Sequence, residues 1–268
     1  MENDFFIPIT LPVKTMVHSF WQTERVTNFK TETIIPQGVV EIIFNFTDDE
    51  KIEAKLGNNN YKLAKCFING FNTSPVNLYL PQKQNFFGVR FHPVAIKNIF
   101  GIPPGEFSNL TVDLTLIDAS INSLWHQLYE QKTFEQRVKR FSMWLQKFYV
   151  QQTGRDEMLN QFLSTTNYYV PSVTQLSKTL CYSSRHLMRK LYALTGMNTE
   201  ELLLYKKFLL SVHLVHYSNM SLTQIAYNSQ FADQSHFIKT FKHYSQITPG
   251  EYRKFKAHLE GHILKDVR

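Results

Sequence analysis

Ser221-Leu222-Thr223-Gln224-Ile225-Ala226 repeats the pattern of Ser172-Val173-Thr174-Gln175-Leu176-Ser177 at an offset of 49 residues, and this repetition decides how the second half of the chain is read. In each copy a serine is placed to cap a short helix, and the Val/Leu and Leu/Ile positions point inward at i and i+3. A second helix follows each at an offset of 50. Leu187, Leu191 and Leu194 correspond there to Phe237, Phe241 and Tyr244, an apolar i, i+4, i+7 stripe. The caps of these second helices are Ser183 and Asp233. One extra residue in the second turn accounts for the change of offset. Two short helices joined by a tight turn, the second capped and longer, is a helix-turn-helix pattern, here present twice.

The face opposite each stripe carries the chemistry. Arg185, Met188 and Arg189 lie at i, i+3 and i+4 in the first copy. Gln234, Ser235, His236 and Lys239 occupy that face in the second, with Lys242 one turn further. Arg and Lys donate to guanine acceptors, Gln and Ser read an adenine edge, and cations on the same face neutralise phosphates. The helix N-termini at Ser183, Ser184 and Asp233 offer backbone N–H groups to a phosphodiester. One amphipathic helix with two arginines is as readily a solvated surface helix. A repeated helix pair can also serve protein contacts.

The run from Ser221 to Ala226, then Phe231-Ala232-Asp233-Gln234-Ser235-His236-Phe237-Ile238-Lys239-Thr240-Phe241-Lys242 and Ile247-Thr248-Pro249-Gly250-Glu251-Tyr252-Arg253, closely resembles the signature of the AraC family of bacterial regulators. Ser183-Ser184-Arg185-His186-Leu187-Met188-Arg189-Lys190-Leu191, ending at Gly196, resembles that family's first recognition helix. The match covers about residues 156–256. It implies a sequence-specific DNA-binding transcriptional regulator whose two units are bridged by one long helix, a role that fits Asn198/Thr199 to His216, with Leu202, Leu209, Val212 and Val215 among its apolar positions. Two positions depart from the family pattern. Gln230 and Gln246 stand where it usually has glycine, so either side chain is expected to hold a left-handed backbone at a cost near ~1 kcal/mol.

The first ninety residues read as strands. In Val39–Phe46, Val40, Ile42, Phe44 and Phe46 share one face at period two, between the turns Pro36-Gln37-Gly38 and Thr47-Asp48-Asp49. Gly57-Asn58-Asn59-Asn60 reads as a hairpin loop between Lys51–Leu56 and Tyr61–Ala64. Further strands are expected at Cys66–Asn69, Val76–Leu80 and Phe86–Phe91. Pro93 then starts a helix that Gly101 and Pro103-Pro104 stop, and helices follow at Asp118–Gln131 and Thr133–Val150. Phe134, Val138, Phe141, Leu145 and Phe148 form the stripe of the last one, with Arg137, Lys139, Arg140 and Lys147 away from it. That stripe suits either a sheet or its copy in a second subunit. From Asp156 onward everything reads helical. The expected fold is therefore α+β with two domains: a β-barrel or sandwich-like module with helices over 1–150, and an all-α double helix-turn-helix domain over 151–268.

Pro36–Asn45 and Phe87–Ala95 resemble a β-rich module found on some AraC-type regulators, which implies effector binding, dimerisation or both. Glu41, Asn45, Arg90 and His92 are polar in otherwise apolar strands, facing either a pocket or solvent. No ligand-binding residue is assigned. The charge distribution fits this division: residues 1–150 carry 15 Lys and Arg against 14 Asp and Glu, whereas 151–268 carry 14 against 8, and seven of the 10 His. Cys66 and Cys181 are too few and too distant for a disulfide framework or zinc site, and Cys181 reads as a core residue. His213 and His216 share a helix face without a third ligand and read as surface histidines. No apolar run reaches the ~18 residues of a membrane span, and no secretory signal opens the chain, so a cytoplasmic protein is expected. No paired acid and base, nucleophile elbow, phosphate-cradling loop or cofactor motif is present, which argues against an enzyme. The expected partners are double-stranded DNA in the major groove, RNA polymerase, a small-molecule effector and a second copy of the chain. The alternative is a ligand-independent regulator controlled by a protein partner.

Overall fold

A computed structural model describes residues 4–26, 28, 30–47, 52–164 and 169–265. Eleven strands among these form two open sheets rather than a closed barrel. The first sheet contains β1 (Asp4–Phe6), β2 (Val17–Val26), β4 (Val40–Asn45), β7 (Cys66–Asn69), β9 (Lys83–Phe91) and β10 (Thr111–Asp113), in the order β1-β2-β9-β4-β7-β10. The second contains β3 (Thr31–Ile34), β5 (Glu53–Leu56), β6 (Asn59–Lys62), β8 (Val76–Tyr79) and β11 (His262–Lys265), in the order β11-β3-β8-β5-β6. All the paired strands are antiparallel. The helices are α1 (Val13–Met16), α2 (Pro93–Phe100), α3 (Ser120–Tyr129), α4 (Phe134–Leu145), α5 (Gly154–Ser164), α6 (Val173–Thr179), α7 (Ser184–Thr195), α8 (Thr199–Tyr217), α9 (Leu222–Asn228), α10 (Gln234–Ser245) and α11 (Pro249–Phe255).

The first sheet is covered on both faces, which explains the nearly unbroken apolar run of β4. Val40, Ile42 and Phe44 join Phe20, Phe87 and Phe91 under α3 and α4, while Ile43 turns to the other side with Phe67 and Phe86. Phe141 of α4 packs against Phe20, Phe44, Phe87 and Phe91, so this helix covers a sheet. Phe134, Phe141 and Leu145 are buried as expected. Arg137 is not turned to solvent, however: it is buried, donates to Gln22 Oε1 (2.5 Å) and to the Leu128 carbonyl, and lies over the Phe46 ring. The aliphatic stem and planar head suit a wall made of aromatic faces and amide oxygens. Burial keeps its pKa below the ordinary arginine value.

Strands β1, β2, β3 and β10 escaped the sequence pattern. β2 buries Ser19, Gln22 and Thr23 among its apolar residues, so alternation is lost, and β3 has four residues of which Glu32 is buried. The hairpin turn is two residues long, with Asn59 and Asn60 already in β6, and Gly57 holds φ 58°. Asp48, Asp49 and Lys51 lie outside the described residues. Pro93 and Gly101 bound α2 as read, Gly101 being left-handed (φ 72°).

In the helical part, α8 is buried on most sides and packs on α7, α9, α10 and α11, serving as the bridging helix. Three residues of the repeat are left-handed without being glycine: Cys181 (φ 51°), Gln230 (φ 59°) and Gln246 (φ 63°). Cys181 holds the turn of the first unit at the place Gln230 holds in the second. It is exposed there, not in the core. Gln230 offsets its strain because its side-chain amide bonds both the N–H and the carbonyl of Val170. Gln246 is exposed and makes one local bond to the His243 carbonyl. Gln246→Gly is therefore expected to raise stability by up to ~1 kcal/mol, read as a higher thermal midpoint, with Gln230→Gly giving no such gain. His216 is buried rather than on the surface, held by the Tyr252 hydroxyl at 2.8 Å, and His213 faces Glu260 at 3.1 Å.

The final strand, β11, lies beyond the helical reading. It leaves the helical part and pairs antiparallel with β3, Ile34 opposite His262 and Glu32 opposite Leu264.

Candidate nucleic-acid interface

Each unit is built by the same local chemistry. Ser172 and Ser221 accept the backbone N–H groups of Gln175 and Gln224, whose side chains accept the serine N–H in return. Both are capping boxes that fix where α6 and α9 begin. Ser183 Oγ accepts His186 N–H at 3.3 Å to start α7, and Asp233 Oδ1 accepts His236 N–H at 2.8 Å to start α10. Leu187, Leu191, Leu194, Phe237, Phe241 and Tyr244 are all buried, which turns the opposite faces outward.

On those faces Ser183, Ser184, Arg185, Met188 and Arg189 are exposed on α7, and Asp233, Gln234, Ser235, His236, Lys239 and Lys242 on α10. Among the described residues no carboxylate stands within salt-bridge distance of Arg185, Arg189, Lys239 or Lys242. Lys190, one residue on, is instead paired with Asp156 at 3.4 Å. Gln234 accepts from Thr223 Oγ1 at 2.7 Å, which steadies its side chain against α9. Sequence reasoning missed an aromatic element beside each helix start. Tyr182 stacks on His186 (4.9 Å) beneath the Arg155 guanidinium (5.4 Å), and Phe231 meets His236 edge-on (5.4 Å). The offset of 50 that aligned the stripes also pairs His186 with His236, and that was the available signal.

The β-rich part holds a second candidate site, a cavity of about 330 Å³ between the two sheets. Its floor is the Trp21 indole, which lies against Gly88 so closely that a Cβ there would stand 2.0 Å from the ring. Ile43, Phe67 and Phe86 extend the floor, and Ile34 and Leu78 face it from the second sheet. Of the polar strand residues, Glu41 and Arg90 line this cavity and pair with each other at 3.4 Å. Asn45 instead accepts Thr47 N–H, and His92 turns toward α5, 3.0 Å from Ser164 Oγ. Burial, assisted by neighbouring His18, lowers the His92 pKa to about 4.

Residues 176–254 match the family described as "Helix-turn-helix domain". The chain carries an AraC-type helix-turn-helix domain. Residues 8–113, ahead of the AraC-type domain, match the family described as "Domain of unknown function (DUF6597)". A comparison with curated protein sequences finds no match. Among solved structures, ToxT from Vibrio cholerae is 16% identical, with a TM-score of 0.50 over 88% of this chain and 98% of that one. This likeness extends the shared fold from the AraC-type domain into the β-rich part. The C-terminal domain of the response regulator yesN from Fusobacterium nucleatum is 28% identical over 38% of this chain and 99% of that one (TM-score 0.33). A regulator of the AraC type from Chromobacterium violaceum is 25% identical over 33% of this chain and 79% of that one (TM-score 0.31). No helix of the described residues is long and apolar enough to cross a membrane.

Proposed function

We propose that this chain is a sequence-specific transcriptional regulator that lays α7 and α10 into successive major-groove segments on one face of double-stranded DNA, about one helical turn (~34 Å) apart. One observation carries this reading. Two equivalent helices bury apolar stripes and leave unpaired cations, an amide and hydroxyls outward. Arg185, Arg189, Gln234, Ser235, His236 and Lys239 make the base and phosphate contacts, with Met188 and Lys242 beside them. Ser183, Ser184 and Asp233 set the helix starts against the backbone. We divide the chain after residue 150, ahead of α5. The preceding β-rich module regulates binding by holding a small effector between its sheets or by joining a second copy. The protein acts in the cytoplasm, contacts RNA polymerase and performs no enzymatic step.

Selection of bound sites from random duplex DNA tests the reading, the expected outcome being an enriched bipartite site. Arg189→Ala should then weaken binding by about 1–3 kcal/mol and relax preference at one base position. Unchanged affinity and selectivity would remove Arg189 from the interface. For the effector, a metabolite at 100-fold its Kd should add ~2.7 kcal/mol to stability in a thermal-shift screen. A screen without any such hit would favour control by a protein partner.

A further inference from the structure

The cavity between the sheets is closed in part by the end of the chain. Leu259 and His262, far beyond the β-rich module in sequence, stand in its lining. They arrive on the segment that becomes β11, and one residue fastens that segment on both sides. The carbonyl of Gly261 accepts Ile35 N–H of the β-rich part at 2.9 Å. The N–H of the same residue donates to the Tyr252 hydroxyl at 2.8 Å. Tyr252 is fully buried, and its ring packs on Phe241 of α10, 5.9 Å between centroids. A short run of contacts therefore joins the cavity to the inner face of the second recognition helix.

The lining also constrains what fits inside. Most of its ionisable groups already face a partner: Arg25 with Glu32 at 3.2 Å, Arg90 with Glu41 at 3.4 Å and the His262 ring with Glu32 at 2.6 Å, while exposed Asp4 accepts from Gln22 Nε2 at 3.5 Å. Gln84 and Gln37 take further guanidinium N–H groups, and Trp21 Nε1–H donates to Glu41. A charged guest would compete with these pairs, whereas a neutral one leaves them intact. The aromatic floor of Trp21, Phe67 and Phe86 favours a flat apolar body. The volume of about 330 Å³ lies at the small end for ligand pockets.

We infer that the cavity takes a compact, uncharged ring compound, and that this ligand strengthens the docking of β11 because Leu259 and His262 contact it only when the strand is in place. The inference rests on the proposed effector reading and specifies its ligand class and its route to α10. A ligand that touches one of two states more must shift the population toward that state, and the removal of that state must weaken the ligand.

The test uses the full chain and three near-isosteric probes: indole-3-carboxamide, indole-3-carboxylate and 3-(aminomethyl)indole, titrated by calorimetry. The neutral probe is expected to bind at least tenfold more tightly than either ion. With it bound, amide exchange over residues 261–265 should slow several-fold. Leu78→Trp, or Ala54→Phe if the first fails to fold, should abolish binding by filling the cavity. A chain ended at Glu260, or His262→Ala as the milder change, should weaken binding by tenfold or more. Preferred binding of an ion overturns the uncharged class while leaving the effector cavity standing. Binding with unaltered exchange at 261–265 overturns the part given to β11. Binding that survives both cavity-filling variants places the site elsewhere, and no binding by any probe to a protein that still binds DNA overturns the inference whatever the metabolite screen returns.

Discussion

Phe141→Ala is expected to lower the free energy of unfolding by about 3–5 kcal/mol, measured as a fall in the urea midpoint at unchanged slope. Phe141 is fully buried, with the rings of Phe20, Phe44, Phe87 and Phe91 about 6 Å away and Trp144 at 5.2 Å on its own helix. The removal of the ring leaves a void bounded by rigid aromatic faces on a sheet, which collapses poorly, so the cavity adds to the lost transfer energy. The stripe of α4 allowed two readings, a sheet cover or a subunit interface, and this variant separates them. A cover gives the same loss at every protein concentration. A loss under ~1 kcal/mol, or one that grows on dilution, would contradict the packing described above.

Acid should act at the seam between the two parts, through His92. In the folded chain burial holds this imidazole neutral down to about pH 4, with His18 assisting, whereas in the unfolded chain it titrates near 6.5. The unfolded state thus binds the extra proton between those values. The contribution is complete above pH 6.5 and disappears as pH falls to about 4, a change of up to ~3 kcal/mol. His92 stands where β9 meets α2, beside Ser164 of α5. His92→Gln can keep a bond to Ser164 while removing the titration. Denaturation midpoints across pH 4–7 should therefore fall less steeply for the variant. Parallel curves for the two proteins would show that His92 is protonated without cost.

The helical half was legible because its signals are local and occur twice. Capping serines and stripe spacing follow from short-range sterics and hydrogen bonding, so a repeat reveals them, whereas the left-handed positions Gln230 and Gln246 are legible only through the resemblance to the AraC pattern, which has glycine there. The β-rich half was less legible where burial and polarity part company. β2 carries Gln22 inward because Arg137, 115 residues away, waits to donate to it, and neither residue announces the other. Arg137 was misplaced for the same reason. Cys181 reads as a core residue closing a buried helix of the repeat, yet the offset of 49 aligns it with Gln230 in the turn, where it is exposed. Of the candidate cavity, only Glu41 and Arg90 stood out, as polar residues in apolar strands. The approach of β11 to β3 left no periodic trace in the sequence.

Pairing between β3 and β11 has a consequence for the order of synthesis. Glu32 and His262 are 230 residues apart, so the β-rich module emerges from the ribosome with one margin of its second sheet open. That margin offers unpaired backbone groups to any neighbouring nascent chain until residues 262–265 have been made. The second sheet is therefore completed along this margin only when β11 arrives.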